Sequence, residues 1–163
     1  MGDLITYLTM DGQTYIAPQV KIAFDGEHGG ACPDYVALDF RRRHVIVIEE
    51  TEAWNTRPLC ERIRNRNTRW FKPLAAFMLE KSIVTSDWGM RFLGVVRPDR
   101  IKAFENTFPL DGDVAFVSIE ECQFSWKYWD HRRDSGLPGG EPGTYQGGQS
   151  VGEWASWPKA KAP

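Results

Sequence analysis

PDYVALDFRRRHVIVIEETE, residues 33–52, is the stretch that decides how this chain folds. Within it, 35–40 (YVALDF) and 45–48 (VIVI) are runs of strong β-formers. Only Arg41, Arg42, Arg43 and His44 separate them, a spacing that predicts an antiparallel hairpin. VIVI shows no polar alternation, as expected of a strand covered on both faces. Asp34 follows Pro33 at the start of the first strand, and Glu49-Glu50-Thr51-Glu52 closes the second. A hairpin brings these two places side by side. Carboxylates gathered there repel one another unless a cation holds them, and a hard divalent ion with oxygen ligands, Mg²⁺ above all, suits such a group.

Outward from the hairpin, the period of the apolar residues changes. Upstream, 3–10 reads as a short helix capped by Asp3 and ended at Asp11-Gly12, and 14–24 as a strand in which Pro18 marks an edge or a bulge. A loop follows at 25–30, where His28 stands alone beside Glu27. Downstream, over 58–82, Leu59, Ile63, Trp70, Leu74, Phe77 and Met78 recur at helical spacing, with Pro73 expected to kink or divide the helix. Residues 91–96 (RFLGVV) read as a buried strand, Pro98-Asp99 as a turn, 101–106 as a short helix and 114–119 (VAFVSI) as a last strand. From 134 to 163 the chain is rich in Gly, Pro and Ser and reads as a flexible tail, in which Trp154 and Trp157 offer docking points. The order of elements predicts one α/β domain over 1–133, an α+β mixed sheet flanked by helices.

The strand ends, read with the helix that follows, point to chemistry on phosphate. Between positions 41 and 72 stand Arg41, Arg42, Arg43, Arg57, Arg62, Arg64, Arg66, Arg69 and Lys72, against Glu49, Glu50, Glu52 and Glu61. Phosphate binding follows local potential, so this imbalance counts even though the net charge is −2. Arg57, Arg62, Arg64, Arg66 and Arg69, on the helix, are the candidate nucleic-acid contacts. Trp54 and Trp70 flank the same stretch and are candidates to stack on bases. The register of the hairpin decides which acids meet. If Phe40 pairs with His44 around the three arginines, Asp34 falls opposite Glu50, and Glu52 joins the group; this is the preferred register. A loop of two or four residues would instead bring Glu49 and Thr51 to the side of Asp34.

The segment GGACPDYVALDFRRRHVIVIEETE resembles the core of the PD-(D/E)XK nuclease superfamily, the restriction-endonuclease-like fold. There an Asp after Pro begins one strand of a hairpin, and the partner strand ends in an acid, any residue, then Lys. The resemblance covers 14–119 in the order of elements and 33–52 in motif residues. It implies a restriction-endonuclease-like core and hydrolysis of phosphodiester bonds with Mg²⁺, or Mn²⁺ in its place. The implied catalytic residues are Asp34, Glu50 and Glu52. The implied metal ligands are Asp34, Glu50 and the main-chain carbonyl of Thr51, with Glu49 as the alternative acid. DNA is implied as substrate ahead of RNA, and a homodimer as a possible assembly. The motif lysine is missing: Thr51 holds its place if Glu49 is the acid, and Glu52 if Glu50 is. Lys21 and Arg62 are the candidates to supply the missing charge. Loss of the lysine also fits a binding module that keeps the fold without the chemistry.

The whole chain sets the remaining bounds. Its 163 residues, 42% hydrophobic and 26% charged, suit one soluble globular domain. No apolar run approaches the roughly 18 residues that cross a bilayer, and no secretory signal opens the chain. Cys32, Cys60 and Cys122 have no paired metal-type spacing and are expected to be buried thiols in a cytoplasmic protein.

Overall fold

The computed structural model describes residues 2–10, 12–23, 30–124, 126–131 and 150–156. In chain order these form α1 (Gly2–Thr9), β1 (Thr14–Pro18), β2 (Ile22–Ala23), β3 (Gly30–Ala31), β4 (Tyr35–Asp39) and β5 (His44–Thr51). Then come α2 (Arg57–Arg64), a π-helical turn (Asn67–Phe71), α3 (Lys72–Glu80), β6 (Gly89–Val96), α4 (Pro98–Thr107) and β7 (Val114–Ser118). Short helices α5 (Ile119–Cys122), α6 (Trp126–His131) and α7 (Val151–Ser156) complete them. His28, the turn residue Asp11 and most of the 25–30 loop lie outside the described residues, as do 132–133 and, of the expected tail, 134–149 and 157–163.

The expected hairpin is the centre of a five-stranded mixed sheet of order β1-β4-β5-β6-β7, flanked by helices in an α+β fold. The β1–β4 and β4–β5 pairs are antiparallel, whereas the β5–β6 and β6–β7 pairs are parallel. Val45, Ile46, Val47 and Ile48 are all buried, because β5 has a helical layer on each side. Val45 and Val47 pack with Leu59, Ile63, Trp70 and Leu74 under α2 and α3; Ile46 and Ile48 pack with Leu4, Tyr7 and Leu8 of α1. Burying each such side chain stabilises the fold by about 1.5–3 kcal/mol, and β5 does so in both directions. Among the described residues no helix is long and apolar enough to cross a membrane.

Several local expectations change. The helical run is interrupted at Asn65, and a π turn then leads directly into α3, taking up an extra residue just ahead of Pro73, where the ring and missing N–H interrupt the regular ladder. Phe77 is 40% exposed, although its helical neighbours Leu74 and Met78 are buried. Pro98-Asp99 is the first turn of α4 and not a separate turn. Cys60 and Cys122 are buried thiols, but Cys32 is exposed. Within the expected tail, α7 is docked: Val151 is fully buried, and its N–H donates to the Trp88 carbonyl at 2.6 Å. An apolar side chain in the core holds these residues where composition alone suggested freedom.

The hairpin tip corrects the register. Asp39 pairs with His44, so the loop has four residues, Phe40 to Arg43. The cause is the Asp39 carboxylate, which is buried and accepts the N–H groups of Arg41 (2.9 Å) and Arg42 (3.2 Å) and the Arg42 guanidinium (3.3 Å). That bonding turns the chain one residue early. Arg43, at φ 56°, completes the loop in the left-handed region. Phe40 leaves the ladder to meet Tyr15 and Trp88 edge-on, at 5.5 and 5.0 Å between ring centres.

Candidate active site

Because Tyr35 pairs with Ile48, the next position of the ladder sets Asp34 across from Glu49 and not from Glu50. Glu49 therefore shares the face of Asp34, the face covered by α2 and the π turn, together with Val36, Val45 and Val47. Glu50 alternates to the α1 face, and Glu52 lies beyond the end of β5, exposed. The acids brought together are Asp34 and Glu49; the expected trio of Asp34, Glu50 and Glu52 is not assembled on one face. The link between Asp34 and Glu50 is through the main chain, since the Glu50 N–H donates to Asp34 Oδ2 at 2.8 Å. Asp34 is itself fixed from the other side: its carbonyl accepts the N–H of Gln19 at 2.9 Å. Gln19 takes φ 50° just past Pro18, a constraint that the sequence did not signal.

Glu49 is 3% exposed. Burial drives its carboxyl up to about 7, and Asp34 adds to this, against the lowering pull of Arg62 and Arg69 and of a backbone hydrogen bond from Asp34. A carboxyl that titrates near neutrality can both take up and release a proton under physiological conditions. Glu50 is raised too, first by burial and then by Asp34 and Glu52, and burial with Glu50 and Asp34 raises the phenol of Tyr35. The strand end is thus a concentration of negative charge.

Positive charge comes from the helix. Arg62 of α2 donates to Glu49 Oε2. Of the two candidates for the missing lysine, Arg62 is the one in contact with the acids; Lys21 is exposed ahead of β2, in the separate two-stranded sheet. Thr51, at the lysine position of the observed register, accepts the Ala53 N–H at 3.1 Å. Arg62 also lines an open cleft of about 530 Å³ with Pro58, Glu61, Asn65, Thr68 and Arg69. Arg69 has its Nε buried and its guanidinium 5.5 Å from the centre of the Trp70 ring.

The other helix arginines separate by role. Arg57 is exposed, with a 3.0 Å surface pair to Glu61, and Arg64 is exposed beside the ring of Phe108. Arg66 turns inward and forks onto Asp113 at 2.7 and 2.8 Å, with Asp111 at 3.6 Å. Burial disfavours the Arg66 charge, but Asp113 and Asp111 outweigh it and hold the guanidinium ionised. Trp70 is wholly buried, whereas Trp54 is 66% exposed.

Asp34 and Glu49 are the side chains at the strand end that could hold a small divalent ion. Among the described residues no group of three His, Cys, Asp or Glu side chains converges on a single point. Two carboxylates on one face are nevertheless enough for magnesium, which keeps several of its waters and takes one or two protein carboxylates. The guanidinium of Arg62 would compete for Glu49 with such an ion. Compared with family models, with curated proteins and with solved structures, the chain matches none.

Proposed function

We propose that the protein is a divalent-metal-dependent nuclease that hydrolyses phosphodiester bonds, in DNA ahead of RNA, using Asp34 and Glu49. The observation that carries this reading is the pairing of Asp34 and Glu49 across the hairpin, on the face that also presents Arg62 and Arg69. In this reading Asp34 and Glu49 hold Mg²⁺, whose chemistry would be to activate a water and neutralise charge on the phosphate. The chain's own groups do the rest. Arg69 and, once displaced from Glu49, Arg62 bind the phosphate flanking the cut. The exposed Arg57 and Arg64 hold the backbone further along. The Gln19 and Glu50 N–H groups keep Asp34 in place. The likeness of residues 33–52 to the PD-(D/E)XK hairpin supports the reading, in the register where Glu49 is the acid. One Asp34–Glu49 pair serves one strand, so cutting both strands of a duplex would call on two copies.

The test is incubation of the purified protein with plasmid, linear and single-stranded DNA in Mg²⁺ or Mn²⁺. Cleavage is expected for the wild type, and at least a hundredfold less for Asp34→Asn, which keeps an acceptor for the Glu50 N–H but loses the charge, about 2.7 kcal/mol in the barrier. No cleavage by the wild type, or equal cleavage by the variant, removes the proposal. A second reading, a nucleic-acid-binding module without chemistry, is favoured by the Arg62–Glu49 ion pair and by Thr51 in place of lysine. It expects DNA binding through the arginines and no Mg²⁺ binding that depends on Asp34.

A further inference from the structure

Trp54 lies in the connection between β5 and α2, three residues past the end of β5. The last pair of the β5–β6 ladder is Thr51 with Val96, so Arg97 emerges beside it at the same end of the sheet as Asp34 and Glu49. Two guanidinium groups gather on the Trp54 ring: Arg100 at 3.2 Å from its centre and Arg97 at 5.5 Å. Asp99 reaches both arginines, at 3.5 and 3.1 Å, and one carboxylate against two guanidinium groups leaves a net positive charge. Cation–π contact holds an indole in a fixed orientation, yet Trp54 remains two-thirds exposed. An indole kept out of the core, oriented and flanked by two guanidinium groups is complementary to a base with its phosphate. A base in a duplex has no free face to offer. An unpaired one does.

We infer that Trp54, Arg97 and Arg100 form a platform for an unpaired nucleotide, so that the substrate at this end of the sheet is single-stranded nucleic acid. The inference rests on the proposed nucleic-acid reading and narrows it to a substrate class. Trp54 stacks on the base, Arg97 and Arg100 hold the adjoining phosphates, and the strand continues toward Arg57 and Arg62 on α2.

The full chain is titrated in EDTA, which prevents metal-dependent cutting, against fluorescent 20-nucleotide oligo(dT), 20-nucleotide oligo(U) and a 20-base-pair duplex. Binding to one or both single strands is expected to be tighter than to the duplex. Trp54→Ala should weaken single-strand binding roughly 5- to 150-fold, Trp54→Phe should retain most of it, and neither should alter duplex binding more than twofold. Replacing Arg97 and Arg100 together by Ala should lower the salt slope of single-strand binding by up to about 1.4. Oligo(dT) against oligo(U) separates DNA from RNA as the source of the strand. The inference is overturned if the wild type binds no single strand, if Trp54→Ala binds within twofold of wild type, or if it weakens duplex and single strand alike. Cleavage scored separately in Mg²⁺ keeps the two readings apart: loss of platform binding can occur in a protein that cuts, and intact platform binding in one that does not.

Discussion

Arg62 and a divalent ion would want the same oxygens. The Glu49 side chain is 5% exposed and that of Arg62 37%, so the acid is buried and the guanidinium partly hydrated. Burial of the acid costs more than its contact with Arg62 returns, so the net worth of the pair is small, on the order of 1 kcal/mol, which a magnesium ion can overcome. Removing the guanidinium should therefore tighten the site for metal. Titration calorimetry with Mg²⁺ at pH 9, which keeps Glu49 ionised once the lowering pull of Arg62 is gone, is expected to show Arg62→Ala binding up to about fivefold more tightly than wild type. Weaker binding by the variant would mean that Arg62 positions the acid and does not compete for it. At this scale the sequence was half legible. Pro33-Asp34 and the run of acids at 49–52 marked carboxylates that the hairpin does bring to one end of the sheet, because strand ends are readable from composition. Which glutamate faces Asp34 was not readable, since it depended on a single side chain: Asp39 ends β4 one residue early by binding the turn's own N–H groups. A one-residue change in a hairpin moves every later side chain to the other face, so Glu49 replaced Glu50 in the site.

At the scale of elements, the basic helix of the sequence becomes two helices and a π turn whose arginines serve different ends. Period and charge make all five look like one solvated face. The partner that withdraws Arg66 from that face lies 47 residues away in sequence, just ahead of β7, where no local pattern could announce it. The forked pair with Asp113 ties the helix layer to that edge of the sheet, with Arg66 and Asp113 side chains 12% and 17% exposed. Breaking such a pair leaves a carboxylate poorly hydrated and without its charge partner. Arg66→Ala should thus lower stability by about 2–3 kcal/mol, read as a shift in the urea midpoint. Its single-strand affinity, measured where the variant is folded, should stay within twofold of wild type, whereas Arg57→Ala and Arg69→Ala should each weaken binding. A variant that unfolds like wild type but binds nucleic acid poorly would return Arg66 to the binding face. The central strands and the helical run were legible, because β5, covered on both faces, is an unbroken apolar run, and the helical run, covered on one face, repeats its apolar residues at helical spacing. The π turn and the docking of α7 were not, since both follow from packing against distant residues.

Across the whole molecule, β5 carries a titratable group at each end, and burial displaces the two in opposite senses. Glu49 titrates at about 7 against an ordinary 4.5, chiefly through burial with Asp34 adding, despite Arg62 and Arg69. His44 titrates at about 4 against an ordinary 6.5, through burial first and then the charges of Arg91 and Arg42. The folded protein keeps the Glu49 proton where the unfolded chain has released it, so that contribution to stability is full below pH 4.5 and is lost as pH rises through 7. The folded protein excludes the His44 proton that the unfolded chain accepts, so that contribution is full above pH 6.5 and is lost as pH falls through 4. Between pH 4.5 and 6.5 the two slopes oppose each other, each by up to about 1.4 kcal/mol per pH unit. The stability of Glu49→Gln relative to wild type should therefore rise with pH across this window, and that of His44→Gln relative to wild type should fall. Urea unfolding at four pH values for the three proteins measures both slopes. Three parallel profiles would show that neither end of β5 is as dry as its burial implies, and would take with them the neutral-range proton exchange assigned to Glu49.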